Sequence, residues 1–166
     1  MVRAVVLSLF AVVWVLAPAG ALAEPVAPAA SVLWTAPLPE PTVTRPFDVL
    51  PSRYAAGHRG VDLAGVAGTP VLAAGDGVVA FAGMVAGRPV VSVDHPGGLR
   101  TTYEPVDPSV GAGQAVARGS PLGTLLAGHA GCPVSACLHW GLRRGEDYLD
   151  PLTLMAVPRV RLLPLY

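Results

Sequence analysis

The sequence predicts an all-β domain, and three observations carry that reading. Glycine and proline number 19 and 18 among 166 residues, about twice average usage, which favours many short strands joined by tight turns. Hydrophobic residues make up 52% of the chain but aromatics only 6%, so the core has to be built mainly from Ala, Val and Leu. No segment of ordinary helix length carries a convincing amphipathic period, whereas short apolar runs bounded by Gly, Pro and Asp recur from residue 69 onward. The length suits one compact domain with a tail or linker.

Residues 1–23 read as an export signal. Arg3 supplies a positive start, and residues 4–16 are an uncharged run that is apolar but for Ser8. Pro18 and Gly20 break it, and Ala21-Leu22-Ala23 offers the small-x-small pattern of a cleavage site. Cleavage near Ala23 leaves a secreted chain, outside the cytoplasm. An uncleaved membrane anchor is the rival reading, and membrane contact is expected only in that case. Residues 24–44 contain Pro25, Pro28, Pro37, Pro39 and Pro41 and read as an extended linker, with Trp34 tacking onto the domain. The folded domain is expected over residues 45–157, followed by an apolar tail at 158–166 that has no functional account.

Within the domain, residues 70–74 and 78–82 flank Gly75-Asp76-Gly77, which reads as a hairpin because Asp-Gly suits a tight turn. Residues 90–94 and 99–103 flank His95-Pro96-Gly97-Gly98 and make a second hairpin. Residues 114–119 and 122–126 follow, and 138–142 form a last strand. His95 reads as a turn residue, Trp140 as core, Arg143-Arg144 as a solvated strand end, and Asp150-Pro151-Leu152 as the turn that ends the domain.

A net charge of zero and 13% charged residues exclude a nucleic-acid binder held by a basic face, which has to neutralise many phosphates. All 11 basic residues are arginine, a coding bias without mechanistic content. Nothing points to an obligate assembly, and a monomer is expected. In an oxidising compartment the two cysteines, Cys132 and Cys137, are expected to form a disulfide. Closing so small a ring contributes only about 2 kcal/mol, so it shapes a loop more than it holds the fold. An inert buried thiol and a fourth metal ligand remain as other readings of Cys137.

Two clusters can do chemistry. In His58-Arg59-Gly60-Val61-Asp62 the His and Asp stand four apart, on one side of either a helix or a strand. Gly57, Gly60 and Gly65 argue against a helix. In Cys137-Leu138-His139-Trp140, period-2 alternation turns Cys137 and His139 to one face. His58, Asp62 and His139 together are two imidazoles and a carboxylate, the donor types of a zinc site with one open position. The rival reading is three surface turn residues.

His58-x-x-x-Asp62 and Leu138-His139-Trp140 resemble the His-x-x-x-Asp and His-Leu-His-Phe motifs of the lysostaphin-type (LytM) zinc endopeptidases. Between them, 68–79 resembles that family's glycine-turn hairpin and 91–98 its next strand and turn. The glycines of 110–123 resemble its repeated glycine strand pair. The resemblance runs from about residue 47 to 154. It implies a compact antiparallel sheet domain, Zn2+ held by His58, Asp62 and His139, and action on peptide cross-links of bacterial peptidoglycan.

The same resemblance marks two departures. Family members carry two further histidines that orient water and stabilise the tetrahedral intermediate. Their positions here are Pro105 in Tyr103-Glu104-Pro105-Val106 and Cys137, neither of which replaces an imidazole. His129, in the loop that a Cys132–Cys137 bridge would tether beside the metal strand, is the first candidate replacement, against a solvated loop histidine. Glu104, if its strand is locally bulged, and the Tyr103 phenol are the others. Two functions follow: a divergent zinc endopeptidase, or a non-catalytic wall-binding or hydrolase-regulating module that keeps zinc.

Overall fold

The computed structural model describes residues 34–52 and 54–155; the expected signal segment and the tail at 158–166 lie outside them. The described residues form eleven strands and two short 3-10 turns, with no α-helix among them. The strands are β1 (Thr42–Arg45), β2 (Gly60–Gly65), β3 (Pro70–Leu72), β4 (Gly77–Val85), β5 (Arg88–His95), β6 (Leu99–Glu104), β7 (Val106–Pro108), β8 (Ala115–Val116), β9 (Pro121–Leu125), β10 (Ala136–Arg144) and β11 (Asp147–Leu149). One sheet runs β1-β2-β10-β6-β5-β4-β8, with β11 paired to β10, and a second runs β3-β9-β7. Every pairing is antiparallel.

The core follows from strand alternation. Val61 and Leu63 of β2, Leu138 and Trp140 of β10, Thr101 and Tyr103 of β6 and Val91 and Val93 of β5 all point inward and are buried. Val71 of β3, Val106 of β7 and Leu122 and Leu125 of β9 close the core from the smaller sheet. Each fully buried Val or Leu contributes about 1.5–3 kcal/mol over exposure, which lets a core with few aromatics hold. Because alternate residues face opposite ways, the residues between these on β2, β10 and β6 are left for the opposite face of the large sheet.

Three expectations are corrected. Strands 70–74 and 78–82 are not a hairpin: β3 pairs with β9 and β4 with β5 and β8, so Gly75-Asp76-Gly77 is a corner that passes the chain between sheets. The runs at 114–119 and 122–126 contain β8 and β9, which lie in different sheets. Local turn chemistry cannot tell a hairpin from a sheet-switching corner, because both need the same backbone reversal. The partner of β4 comes instead across Ala86-Gly87, where both residues take positive φ, 49° and 79°, as a two-residue primed turn requires. The hairpin at 95–98 is found where expected, between β5 and β6.

The stretch read as linker contributes to the fold from Trp34 onward. Thr35 N–H donates to Ala74 O and Leu72 N–H to Pro37 O, Leu38 is buried, and β1 pairs with β2. Nor is His95 a simple turn residue: it is 7% exposed. Its Nδ1 donates to Asp76 O at 2.8 Å, and its Nε2 is bonded to Thr101 Oγ1 at 2.7 Å. Thr101 is bonded in turn to the Tyr103 hydroxyl, which accepts from Ala74 N–H. This polar chain ties the corner at Asp76 to the core of the large sheet. Trp140 is core, Arg144 is exposed at the end of β10, and Asp150 Oδ1 accepts from Leu152 N–H at the terminal turn.

Burial holds the His95 ring below its ordinary pKa of 6.5, against smaller opposing contributions from its bond to Asp76 and the carboxylates of Asp94 and Asp76. A depressed imidazole pKa means that the unfolded chain binds more protons, so the stability from the neutral ring is complete above about 6.5 and is lost as pH falls below it. His95→Gln is expected to cost about 1–3 kcal/mol above that pH by breaking a buried hydrogen-bond chain. The gap to the parent should narrow as pH drops toward 5. Urea unfolding of both chains between pH 7.5 and 5 measures it, and a gap that stays constant contradicts the assignment.

Candidate metal centre

Strand register builds the site. Asp62 of β2 lies directly opposite His139 of β10, and His139 lies opposite Glu104 of β6. On the other side Asp62 lies opposite Arg45 of β1. Residues directly opposite share a face, so Arg45, Asp62, His139 and Glu104 form one row across four adjacent strands. A bulge between Val43 and Arg45 sets the last member. The residue it leaves out, Thr44, donates from Oγ1 to Asp62 O and meets Cys137 Sγ at 3.6 Å.

His58 joins the row from the loop before β2. Its backbone N–H donates to Asp48 Oδ2 at 2.8 Å, and Asp48 N–H donates back to His58 O. Its ring Nδ1 lies 2.7 Å from Pro46 O. A carbonyl can only accept, so Nδ1 carries the proton and Nε2 of the neutral ring is a bare lone pair. That lone pair faces Asp62 Oδ1 at 2.9 Å and His139 Nδ1 at 3.0 Å, and the last two atoms are 2.9 Å apart.

Three electron-rich atoms so close repel unless something positive lies among them. Their mutual distances approach the roughly 3.3 Å edge of a tetrahedral shell with metal–ligand bonds of 2.0–2.1 Å. Two imidazoles, one carboxylate and a carbonyl fixing one ring's tautomer are the donor chemistry and outer support of a zinc-type site. His58 and Asp62 are buried and His139 is half-buried. A Cβ on Gly60 would stand 2.7 Å from His139 Nε2 and 2.5 Å from Trp140 O, so the absent side chain is the space in which the His139 ring lies.

Electrostatics agree. Burial works to raise the Asp62 carboxyl, but the neighbouring imidazoles of His139, His129 and His58 outweigh it and hold the group below its ordinary 3.8. Asp62 therefore stays an anionic donor.

The structure also brings His129 here. Its Nε2 is 3.2 Å from Asp62 Oδ1, and its ring stacks on His139 with centroids 5.7 Å apart. Cys132 and Cys137 are disulfide-bonded, and Cys132 N–H donates to His129 O, so the loop is fastened to β10 two residues before His139. Bonded to sulfur, Cys137 is neither a free thiol nor a thiolate ligand.

Of the other candidate replacements, Glu104 reaches the groove without any bulge, in register with His139, and pairs with Arg88 at 3.1 Å. Tyr103 does not reach it. Its side chain is fully buried and its phenol, pushed up to about 12 by burial, belongs to the chain around His95. Arg45, Arg59 and Arg88 line the same groove as His58, His129, His139 and Glu104. Sequence reasoning missed Arg45 and Arg88, since only strand register places them there.

Residues 56–151 match peptidase family M23. The chain is 53% identical over 131 residues to "Uncharacterized protein Rv2891" of Mycobacterium tuberculosis, an alignment covering 76% of this chain and 53% of that protein. The chain thus spans about half the length of the curated relatives it matches. Among solved structures it is similar to Csd3 of Helicobacter pylori, with a TM-score of 0.62 and 26% identity over 80% of this chain and 35% of the other. It also shares its fold with a zinc-containing peptidase from Vibrio cholerae, with a TM-score of 0.62 and 23% identity over 77% of this chain and 40% of the other.

If the triad holds a cation, titration with Zn2+ should give one tight site per chain. Gly60→Ala, which forces the His139 ring aside, is expected to weaken that site at least about 10-fold, as loss of outer support does elsewhere. Asp62→Ala should remove it. Calorimetric titration with circular dichroism as the folding control measures both, and unchanged affinity in folded Asp62→Ala rules the triad out.

Proposed function

The chain belongs to peptidase family M23, and from that premise we propose that it is an exported zinc hydrolase that cuts amide bonds in the peptides of bacterial cell-wall peptidoglycan. The observation that carries the reading is the convergence of His58, Asp62 and His139 within about 3 Å of one another with a fourth polar side chain, His129, beside them. His58 Nε2, His139 Nδ1 and Asp62 Oδ1 are the atoms that would hold the metal. Bound there, zinc would supply Lewis acidity toward the amide carbonyl and a lowered pKa for water.

The rest is the work of this chain's own residues. His129 Nε2, close to Asp62 and open to the groove, takes a proton as water adds to the amide carbon and returns it to the departing amine nitrogen. Stacking against His139 and the disulfide at Cys132 hold its ring, so little orientational entropy is lost at the moment of reaction. Glu104, held by Arg88, lies opposite His139 in the groove, and it accepts hydrogen bonds from the substrate backbone. The peptide lies in the open groove over the row. Secretion after cleavage near Ala23, or retention at the wall, fits that substrate.

One observation favours a second reading. At the positions where related enzymes carry supporting histidines, this chain has Pro105 and the disulfide-bonded Cys137. Loss of a comparable oxyanion donor costs about 100- to 1000-fold in turnover. If His129 does not compensate, the domain is a wall-binding or regulatory module on a peptidase scaffold.

Digestion of cross-linked peptidoglycan by the zinc-loaded mature chain, read by mass spectrometry, decides between the two. New free amines that Asp62→Ala does not produce establish the hydrolase and identify its bond. Binding to sacculi without cleavage establishes the module. If the hydrolase reading holds, His129→Ala should lower kcat about 100- to 1000-fold with KM little changed. Joint replacement of Cys132 and Cys137 by serine should lower kcat while leaving one zinc bound, because the bridge positions His129 and not the metal ligands.

A further inference from the structure

Arg45 ends the row on which the metal donors stand, and its side chain has nothing in the fold to do. It is exposed and lines the groove. Among the described residues it has no hydrogen-bonding or ion-pairing partner. The other two arginines of the groove are engaged: Arg88 pairs with Glu104, while Arg59 donates from Nη2 to Ala55 O at 2.7 Å and lies over the Tyr148 ring at 5.3 Å. The nearest carboxylate along the row, Asp62, is 2% exposed and is held by histidines. Arg45 therefore presents an uncompensated guanidinium to whatever lies over the donors.

Position narrows what it can meet. Neighbouring strands lie about 4.8 Å apart, so the Arg45 backbone stands about 5 Å from that of Asp62 and about 10 Å from that of His139. An extended peptide advances about 3.3 Å per residue. A peptide lying along the row with its amide over the donors then passes Arg45 one to three residues away. A planar guanidinium fork binds a carboxylate through two parallel hydrogen bonds, and carboxylate is the anion a peptide carries. At the other end of the row Glu104, paired with Arg88, offers no such site, so the polarity of the groove also gives the peptide a direction.

We propose that the groove selects peptides with a free carboxylate within about three residues of the amide presented to His58, Asp62 and His139, and that Arg45 is the residue that binds it. The carboxylate is either the α-carboxylate of a chain end or a side-chain carboxylate. The inference rests on the peptide-hydrolase reading for the occupant of the groove but not on turnover.

The test uses the full mature chain and two pairs of fluorescent stem peptides. One pair differs only in a free against an amidated C-terminal α-carboxylate. The other differs only in a free against an amidated side-chain carboxylate. Fluorescence polarisation gives Kd and chromatography gives cleavage. The free acid of at least one pair should bind about 10- to 100-fold more tightly than its amide, as a charge-assisted double hydrogen bond predicts, and the responding pair identifies the source. Arg45→Gln should bring that preference close to unity, and Arg45→Lys should keep part of it. Circular dichroism verifies folding, and the parent comparison stands even where a variant misfolds. Equal binding of acid and amide in both pairs, or no binding of any peptide, overturns the proposal, as does a preference that survives in folded Arg45→Gln. Tight acid-selective binding without cleavage upholds it and refutes the hydrolase reading instead.

Discussion

Everything in the site depends on the register of β10 against its two neighbours. A strand that pairs with β2 on one side and β6 on the other places Asp62, His139 and Glu104 in a line, and the bulge in β1 extends the line to Arg45. A slip of one residue would turn His139 toward the core and Leu138 or Trp140 toward the groove. The buried inward set Val61, Leu63, Leu138, Trp140 and Tyr103 forbids that slip, because reversing it would expose several large apolar side chains at about 1.5–3 kcal/mol each. The same alternation that fills the core therefore aims the polar residues outward, and packing and chemistry are two faces of one register.

Within that frame the local electrostatics are unfavourable for the isolated protein. A carboxylate oxygen, an imidazole lone pair fixed by Pro46 O and a second imidazole converge to about hydrogen-bond distance. Burying polar atoms in this way is costly unless a partner of opposite charge joins them. The supporting features, including the Asp48 brace on the His58 backbone and the vacant Cβ of Gly60, hold the donors in place against this repulsion. A site arranged so is preorganised for a cation, with two donors fixed by strand register and the third by a braced loop.

The bordering loop is fastened separately. Cys137 shares the groove face of β10 with His139, and its bond to Cys132 anchors the turn that carries His129. Cys137, two residues before His139 on β10, is thus the anchor of the loop that brings His129 to within 3.2 Å of Asp62.

The all-β class, the hairpin at 95–98, the candidate donors His58, Asp62 and His139 and the pairing of Cys132 with Cys137 were legible in the sequence because each rests on local information: turn residues, period-2 alternation, short spacings or a motif that resembles a known family. What the sequence left undecided was non-local. Gly75-Asp76-Gly77 reads as a hairpin turn but serves as a corner, since partner choice for β3 and β4 depends on β9 and β5. His95 reads as a turn residue but is buried, because Thr101 and Asp76 meet it only after the strands pair. Tyr103 and Glu104 are adjacent in sequence, yet alternation sends one to the core and the other to the groove. The placement of Arg45 beside Asp62 depends on a bulge across a gap of 17 residues, the difference between 62 and 45. The sequence by itself determined which residues could act as ligands and which strands could exist. Tertiary structure alone decided which face each residue took and who stood opposite, because burial of a shared apolar face selects one register among many that local propensities allow.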